Sequence, residues 1–230
     1  MTFFFLLNII CGSILGQGLI GNVKQNRIVK TLPSSEETLG RTDSSYYEKG
    51  YSRVKRGQYS SAIEFFTKDI QVNPVSISSF YYRGACKYEL INSSINRIIL
   101  LNEALEDFQR VISLDTLNYN AYDYSGIVKT MLGDYQSAEL DFQIAIKLHP
   151  NRQKAYFDRG YLKYLQGDFR KAISDYDTVL IIDNNSKDAL INRAYCKLKV
   201  EDGNGACDDF INAKVLGDKQ HLDFINKNCK

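Results

Sequence analysis

Two small residues and one aromatic recur along this chain at a fixed interval, and that interval restricts the fold more than any other feature. Gly50, Gly84, Gly126, Gly160 and Ala194 are separated by 34, 42, 34 and 34 residues. Ala62, Ala104, Ala138, Ala172 and Ala206 follow at 42, 34, 34 and 34, and Phe66, Phe108, Phe142, Tyr176 and Phe210 repeat that series. Such a period belongs to stacked helical hairpins. Two antiparallel helices approach closely only where side chains are tiny, as at Gly160 and Ala172, and a ring such as Tyr176 fills the space beside them. Function is therefore expected on a surface and not in a catalytic pocket.

Punctuation fits the same units. Gly57, Gly133 and Gly167, each followed two residues later by Tyr59, Tyr135 or Phe169, suit a tight turn between helices, where left-handed backbone is least costly for glycine. Pro74 and Pro150 close two units, because proline lacks the amide donor and disfavours helical geometry just before it. With these residues in place, the chain resembles the tetratricopeptide repeat from Asp43 to about Asp218. The match is close in YYEKGYSRVKRGQYSSAIEFFTKDIQVNP (Tyr46 to Pro74), AYDYSGIVKTMLGDYQSAELDFQIAIKLHP (Ala121 to Pro150) and AYFDRGYLKYLQGDFRKAISDYDTVLIIDN (Ala155 to Asn184). The resemblance implies an all-α, right-handed superhelical solenoid of about five helix-turn-helix units, 43–76, 77–118, 119–152, 153–186 and 187–218, with a capping segment at 219–230. It names no function, since this scaffold serves many unrelated partners.

Two departures from the pattern carry expectations. Eight extra residues sit near Ile91 to Leu101; Asn92, Ser93 and Ser94 form turns, Ser94 is an N-cap candidate, and the second helix of that unit is expected to gain about two turns. In the last unit Ala194 replaces the recurrent glycine and Glu201 to Gly205 replaces the tidy turn, as terminal units do when they cap a stack. Lys219 to Asn228 reads as a final helix whose Leu222, Phe224 and Ile225 cover the end.

Residues 1–23 carry no charged side chain and are mainly apolar from Phe3 to Ile20. This resembles a secretory signal peptide at 1–16, with cleavage after Gly16 and a mature start at Gln17. The usual basic residue before the apolar run is missing, so an uncleaved anchor within residues 1–20 is the rival reading. Export to the periplasm, envelope or exterior is expected, with membrane anchoring as the alternative. Lipidation of Cys11 is disfavoured by Asn8, Ile9 and Ile10 before it. Residues 17–42 read as a flexible linker.

Charge is nearly balanced, with 29 basic against 27 acidic side chains, and no basic face of the kind nucleic acid requires stands out. No Cys-x-x-Cys pair, phosphate-binding glycine loop or nucleophile elbow occurs, and His149 and His221 are far apart. Asp175 and Asp177 stand two apart on a helix and do not face each other. No catalytic residues, metal ligands or cofactors are assigned, and the chain is read as a non-enzyme. The sequons at Asn92 and Asn184 fall where the repeat needs turns. Beyond Cys11, Cys86 and Cys196 occupy equivalent places and read as small buried residues. Cys196 and Cys207 lie on one hairpin, so a bridge between them is conceivable, but spacing does not show that they face each other.

In proteins with this resemblance, a stripe on the first helix of each unit lines a concave groove. Carried over by register, the stripe is Tyr47, Tyr51 and Lys55, then Tyr81, Tyr88 and Glu89, then Asp123, Ile127 and Met131. Phe157, Tyr161, Tyr164 and Leu165 follow, and Ile191, Tyr195 and Lys199 end it. Tyrosines stand at Tyr47, Tyr51, Tyr81 and Tyr161, where polar clamps for a chaperone tail are expected. The aromatic stripe suits an extended peptide or amphipathic helix, because a tyrosine offers apolar area and a hydroxyl together. The sequence thus implies a scaffold that binds a protein or peptide segment in the groove; the alternative is a structural component that self-associates without a groove ligand. Some of these rings could instead pack between neighbouring helices.

Overall fold

The computed structural model describes residues 45–229, and among them the chain forms eleven α-helices and no strand. The expected leader and linker lie outside the described residues. The first helices of the five hairpins are α1 (Ser45–Lys55), α3 (Ile77–Leu90), α5 (Tyr119–Leu132), α7 (Gln153–Leu165) and α9 (Lys187–Lys199). Their partners are α2 (Tyr59–Val72), α4 (Arg97–Leu114), α6 (Tyr135–Leu148), α8 (Phe169–Ile182) and α10 (Gly203–Val215), and α11 (Leu222–Asn228) follows.

In three of the hairpins the repeated aromatic closes directly on the repeated glycine. A Cβ on Gly50 or Gly126 would lie 2.8 Å from a ring carbon of Phe66 or Phe142, and one on Gly160 would lie 3.0 Å from Tyr176. At these three the glycine meets the ring of its own unit first, whereas a Cβ on Gly84 would meet Asp107 and the backbone of Ala104, the small residue of its partner helix, at 3.1 and 3.2 Å. Phe66, Phe108, Phe142, Tyr176 and Phe210 are all buried. A fully buried ring of this size contributes about 1.5–3 kcal/mol relative to an exposed one. The core is therefore a row of such centres, joined by contacts between neighbours.

The turns follow the glycine expectation and show its exception. Gly57, Gly133 and Gly167 have φ of 69°, 85° and 79°, and Glu201 takes the same role in the last hairpin at φ 65°. Three of the second helices are capped alike: Asp134, Asp168 and Asp202 accept the backbone N–H of Ser137, Lys171 and Gly205. These carboxylates satisfy donors that a helix start leaves without partners.

The eight-residue insertion resolves differently from the expectation. Helix α4 has 18 residues against 14 in α2, α6 and α8, which is one added turn and not two. The remaining residues form a 3₁₀ turn at Ile91–Ser93 and a bend. Ser94 does not cap the helix; its Oγ accepts the Asn96 N–H at 3.1 Å, and Asn96 holds the cap position. Short polar side chains compete locally with the helix for backbone groups, so the chain turns before it winds.

At the other end, α11 is fixed by a disulfide from Cys207 on α10 to Cys229. Cys86 and Cys196 are free and buried, so the conceivable Cys196 to Cys207 bridge is replaced by one that ties the cap to the last hairpin. His221 stacks on Phe210 with ring centres 4.9 Å apart, and its ring nitrogens meet Asp218 at 2.6 Å and the Tyr195 hydroxyl at 2.8 Å. Phe224 packs on Phe210 at 5.0 Å.

Candidate interaction groove

The stripe assigned to the inner side of the first helices divides into an embedded part and a half-open part. Tyr81, Ile191 and Tyr195 are buried. Tyr81 sets its edge against Tyr82, Phe108 and Tyr124, while Tyr195 packs on Phe210 and His221. These three belong to the packing between helices and do not present an open face, a correction to their placement as groove lining. Side chains at these positions fill the wedge between successive first helices, where the closeness of the stack removes them from water.

The remaining members keep part of their surface. Tyr47, Tyr51, Tyr88, Ile127, Met131, Phe157, Tyr161 and Tyr164 are half-buried, and Leu165 is exposed. Tyr47 and Tyr51 stack in parallel at 6.2 Å, and the Lys55 ammonium stands 4.4 Å over the Tyr51 ring. Tyr88 meets Tyr124 edge-on at 5.9 Å, Phe157 meets Tyr176 at 5.6 Å, and Tyr164 meets Phe169 at 5.5 Å. Ile127 packs on the Phe142 and Leu162 cluster. Burial pushes the Tyr161 hydroxyl up, with the charge of Arg97 at the start of α4 opposing that shift. Glu89 is half-buried and Lys199 exposed.

Asp123 is the buried member among the charged residues of the stripe. It is 1% exposed and is paired with Lys154 of the next unit, which also reaches Asp158 at 2.9 Å. Burial pushes the Asp123 carboxyl up, and the Lys154 ammonium offsets only part of that. Burial works to lower Lys154, but Asp123 and Asp158 outweigh it and the ammonium is held above its ordinary range.

Two sets of residues emerge that sequence reasoning passed over. Tyr82 and Tyr124 stack nearly parallel on Phe66 and Phe108 of the preceding unit, at 5.8 and 5.2 Å, and their 42-residue separation was a signal in the sequence. The second set is a ladder of ion pairs within hairpins. Arg83 binds Asp107, Arg159 binds Asp175 and Arg193 binds Asp209, with the carboxylates at regular 34-residue steps through Asp141. Ser125 replaces the arginine in the third unit, and Lys129, one turn on, takes Asp141 at 2.6 Å. Asp175 and Asp177 serve different arginines: Arg193 reaches Asp177 across the unit boundary at 2.6 Å. Among the described residues no group of three His, Cys, Asp or Glu side chains could hold a metal, and no helix is long and apolar enough to cross a membrane.

With this geometry in view, the comparisons with known proteins are consistent. No protein-family model matches the chain, and no curated protein matches it. Solved structures do. The crystal structure of MamA is similar at a TM-score of 0.63 with 23% identity, covering 73% of this chain and 93% of that one. YrrB, described as a TPR protein with an unusual peptide-binding site, gives a TM-score of 0.61 with 19% identity, covering 79% and 90%. TTC0263, a thermophilic TPR protein in Thermus thermophilus, gives 0.59 with 16% identity, covering 80% and 95%. The fold is that of a right-handed tetratricopeptide-repeat solenoid, as the repeat register implied.

Proposed function

We propose that the protein is a non-catalytic interaction scaffold that binds a peptide or protein segment along the inner stripe. The observation that carries this reading is the row of half-buried rings at Tyr47, Tyr51, Tyr88, Phe157, Tyr161 and Tyr164. A partly exposed tyrosine on a rigid helix can still bury area and offer a hydroxyl to a backbone group, at little cost in side-chain freedom. The ring contacts described above hold Tyr47, Tyr51, Tyr88, Phe157 and Tyr164 in place before a ligand arrives, which lowers the ordering cost of binding. Export is part of the proposal: the apolar leader suggests it, and the disulfide between Cys207 and Cys229 supports it, because such bonds persist in oxidising compartments.

The test compares two sets of variants by capture of the crosslinked native partner and by thermal melting. Replacing Tyr51, Tyr161 and Tyr164 with Ala is expected to weaken capture by several kcal/mol in total, at about 2 kcal/mol for a central anchor ring. Gly160→Leu is expected to lower the melting temperature by overpacking against Tyr176, at about 1–3 kcal/mol or more. If the tyrosine variants melt as early as Gly160→Leu, the rings are core and the groove reading fails. A second reading, self-association without a groove ligand, has one observation in its favour: Ile95, Ile98 and Ile99 at the insertion are exposed together. Loss of a dimer in Ile98→Ser with Ile99→Ser, measured by light scattering, would support it.

A further inference from the structure

The middle of the inner stripe holds a charge arrangement that its own residues do not complete. The Lys154 ammonium donates to Oδ2 of Asp123 on α5 and to Oδ2 of Asp158 one turn along its own helix. It also stands 4.7 Å from the centre of the Tyr124 ring. Two carboxylates thus share one cation. Beside them, Oδ1 of Asp123 and Oδ1 of Asn120 have no hydrogen-bond donor among the described residues, although Asn120 is 4% exposed and Asp123 1%. Buried acceptors are nearly always paired, and leaving one unpaired is costly, more so for a charged group. The Arg152 guanidinium, whose charge also acts on Asp123, is engaged 4.7 Å over the Tyr119 ring.

We propose that this stretch is a seat for one cationic side chain of a bound protein segment, a guanidinium or an ammonium, and that Lys154 is its gate. The inference rests on the groove reading and adds the chemistry of the segment that the groove takes. Lys154 already holds Asp158, so its ammonium can leave Asp123 without losing every carboxylate partner. Oδ2 of Asp123 is then released, on the same carboxylate as the unpaired Oδ1 and one helical turn from the unpaired Oδ1 of Asn120. A guanidinium suits them best, because its planar fork can donate to a carboxylate and an amide oxygen together while lying near aromatic faces. Tyr81 sets its edge against Tyr124 at 5.8 Å, so the ring beside Lys154 is itself held in place.

The test uses the full chain and two fluorescein-labelled peptides, a short extended leucine and glycine sequence with one central arginine, and the same peptide with citrulline in its place. By anisotropy at low salt, the wild-type chain is expected to bind the arginine probe about tenfold tighter than the citrulline probe, as a desolvated charge-assisted pair allows. Asp123→Asn should remove most of that preference, whereas Lys154→Met, which deletes the competing cation, should raise affinity for the arginine probe several-fold. A merely structural ion pair would lower binding in both variants, so opposite signs identify the seat. Should Asp123→Asn melt early, Asp158→Asn serves instead: Lys154 then has Asp123 alone to hold, the gate closes, and the arginine preference falls with the fold retained. Equal binding of the two probes overturns the seat and leaves the groove reading in place. Failure of both probes, or weaker binding by Lys154→Met, also overturns the seat, and the groove reading is then judged on the tyrosine variants alone.

Discussion

At the scale of single residues, stability concentrates where the repeat forces an unusual group into a fixed environment. Asp209 accepts from Arg193 at 2.5 Å and pairs with Lys197 at 2.8 Å while its side chain is almost fully buried. Asp209→Asn would leave two cations facing a neutral amide. Removing one member of a buried pair costs about 3–5 kcal/mol, so denaturant titration of this variant should show a loss of that size. Glu201 is the opposite case. It holds φ 65° where the other hairpins use glycine, and a non-glycine residue in that region is strained by about 1–2 kcal/mol. Glu201→Gly relieves the strain and gives back part of it as backbone freedom in the unfolded chain. A net gain of about 0.5–1 kcal/mol is expected in the same titration, and a loss would show that Glu201 makes contacts that outweigh its backbone.

At the scale of elements, the five hairpins are unequal in how their second helices begin. Asp134, Asp168 and Asp202 cap α6, α8 and α10, but Gln58 precedes α2 and makes no side-chain cap bond. Gln58→Asp is expected to stabilise the chain by about 0.5–2 kcal/mol, the usual worth of a cap, seen as a later melt. An unchanged melting temperature would mean that α2 does not form its first turn independently of Arg53, which already donates to Gln58 Oε1 at 2.8 Å. The caps also set an acid response. The bond from Ser137 holds the Asp134 carboxyl below its ordinary value of 3.8, and Lys171 does the same for Asp168. A depressed carboxyl contributes stability that is present above its ordinary value and is lost as pH falls through the lower folded one. Melting temperature followed downward should therefore hold at neutral pH and show the contribution of these two caps disappearing only below about pH 4, where carboxylates ordinarily protonate.

At the scale of the whole molecule, the described residues form a one-dimensional stack in which local closure decides how it comes apart. The C-terminal end is closed by α11, by the packing of His221 and Phe224 on Phe210, and by the Cys207 to Cys229 bridge across 22 residues. A bridge over a loop of that length is worth about 3 kcal/mol on the loop-entropy account. Because each unit touches only its neighbours, the effect of losing it should be local. Hydrogen exchange after reduction, or in Cys207→Ser with Cys229→Ser, is expected to show faster exchange in α9 to α11 while α5 to α8 stay protected. Uniform acceleration across every helix would show that the stack unfolds as one cooperative unit instead.

The sequence by itself determined the architecture, because the repeat is a packing requirement written in residue size. A glycine must stand at Gly126 if Phe142 is to touch the backbone, and its recurrence at 34-residue steps can be read without coordinates. The insertion before α4 was legible, but neither the single turn it adds nor where the helix starts was, since Asn92 to Asn96 could either cap a helix or fold locally, and the difference is a few hydrogen bonds. The aspartates at Asp107, Asp141, Asp175 and Asp209 were equally periodic, yet their partners shift from Arg83 to Lys129 when Ser125 interrupts the series. Only the tertiary structure decided which tyrosines of the inner stripe are core. Tyr81 and Tyr161 both lie on that stripe, but three neighbouring rings bury Tyr81 while Tyr161 stays half-buried. Periodicity states which helix face a side chain takes; how much water is left on that face depends on what neighbouring units bring to it.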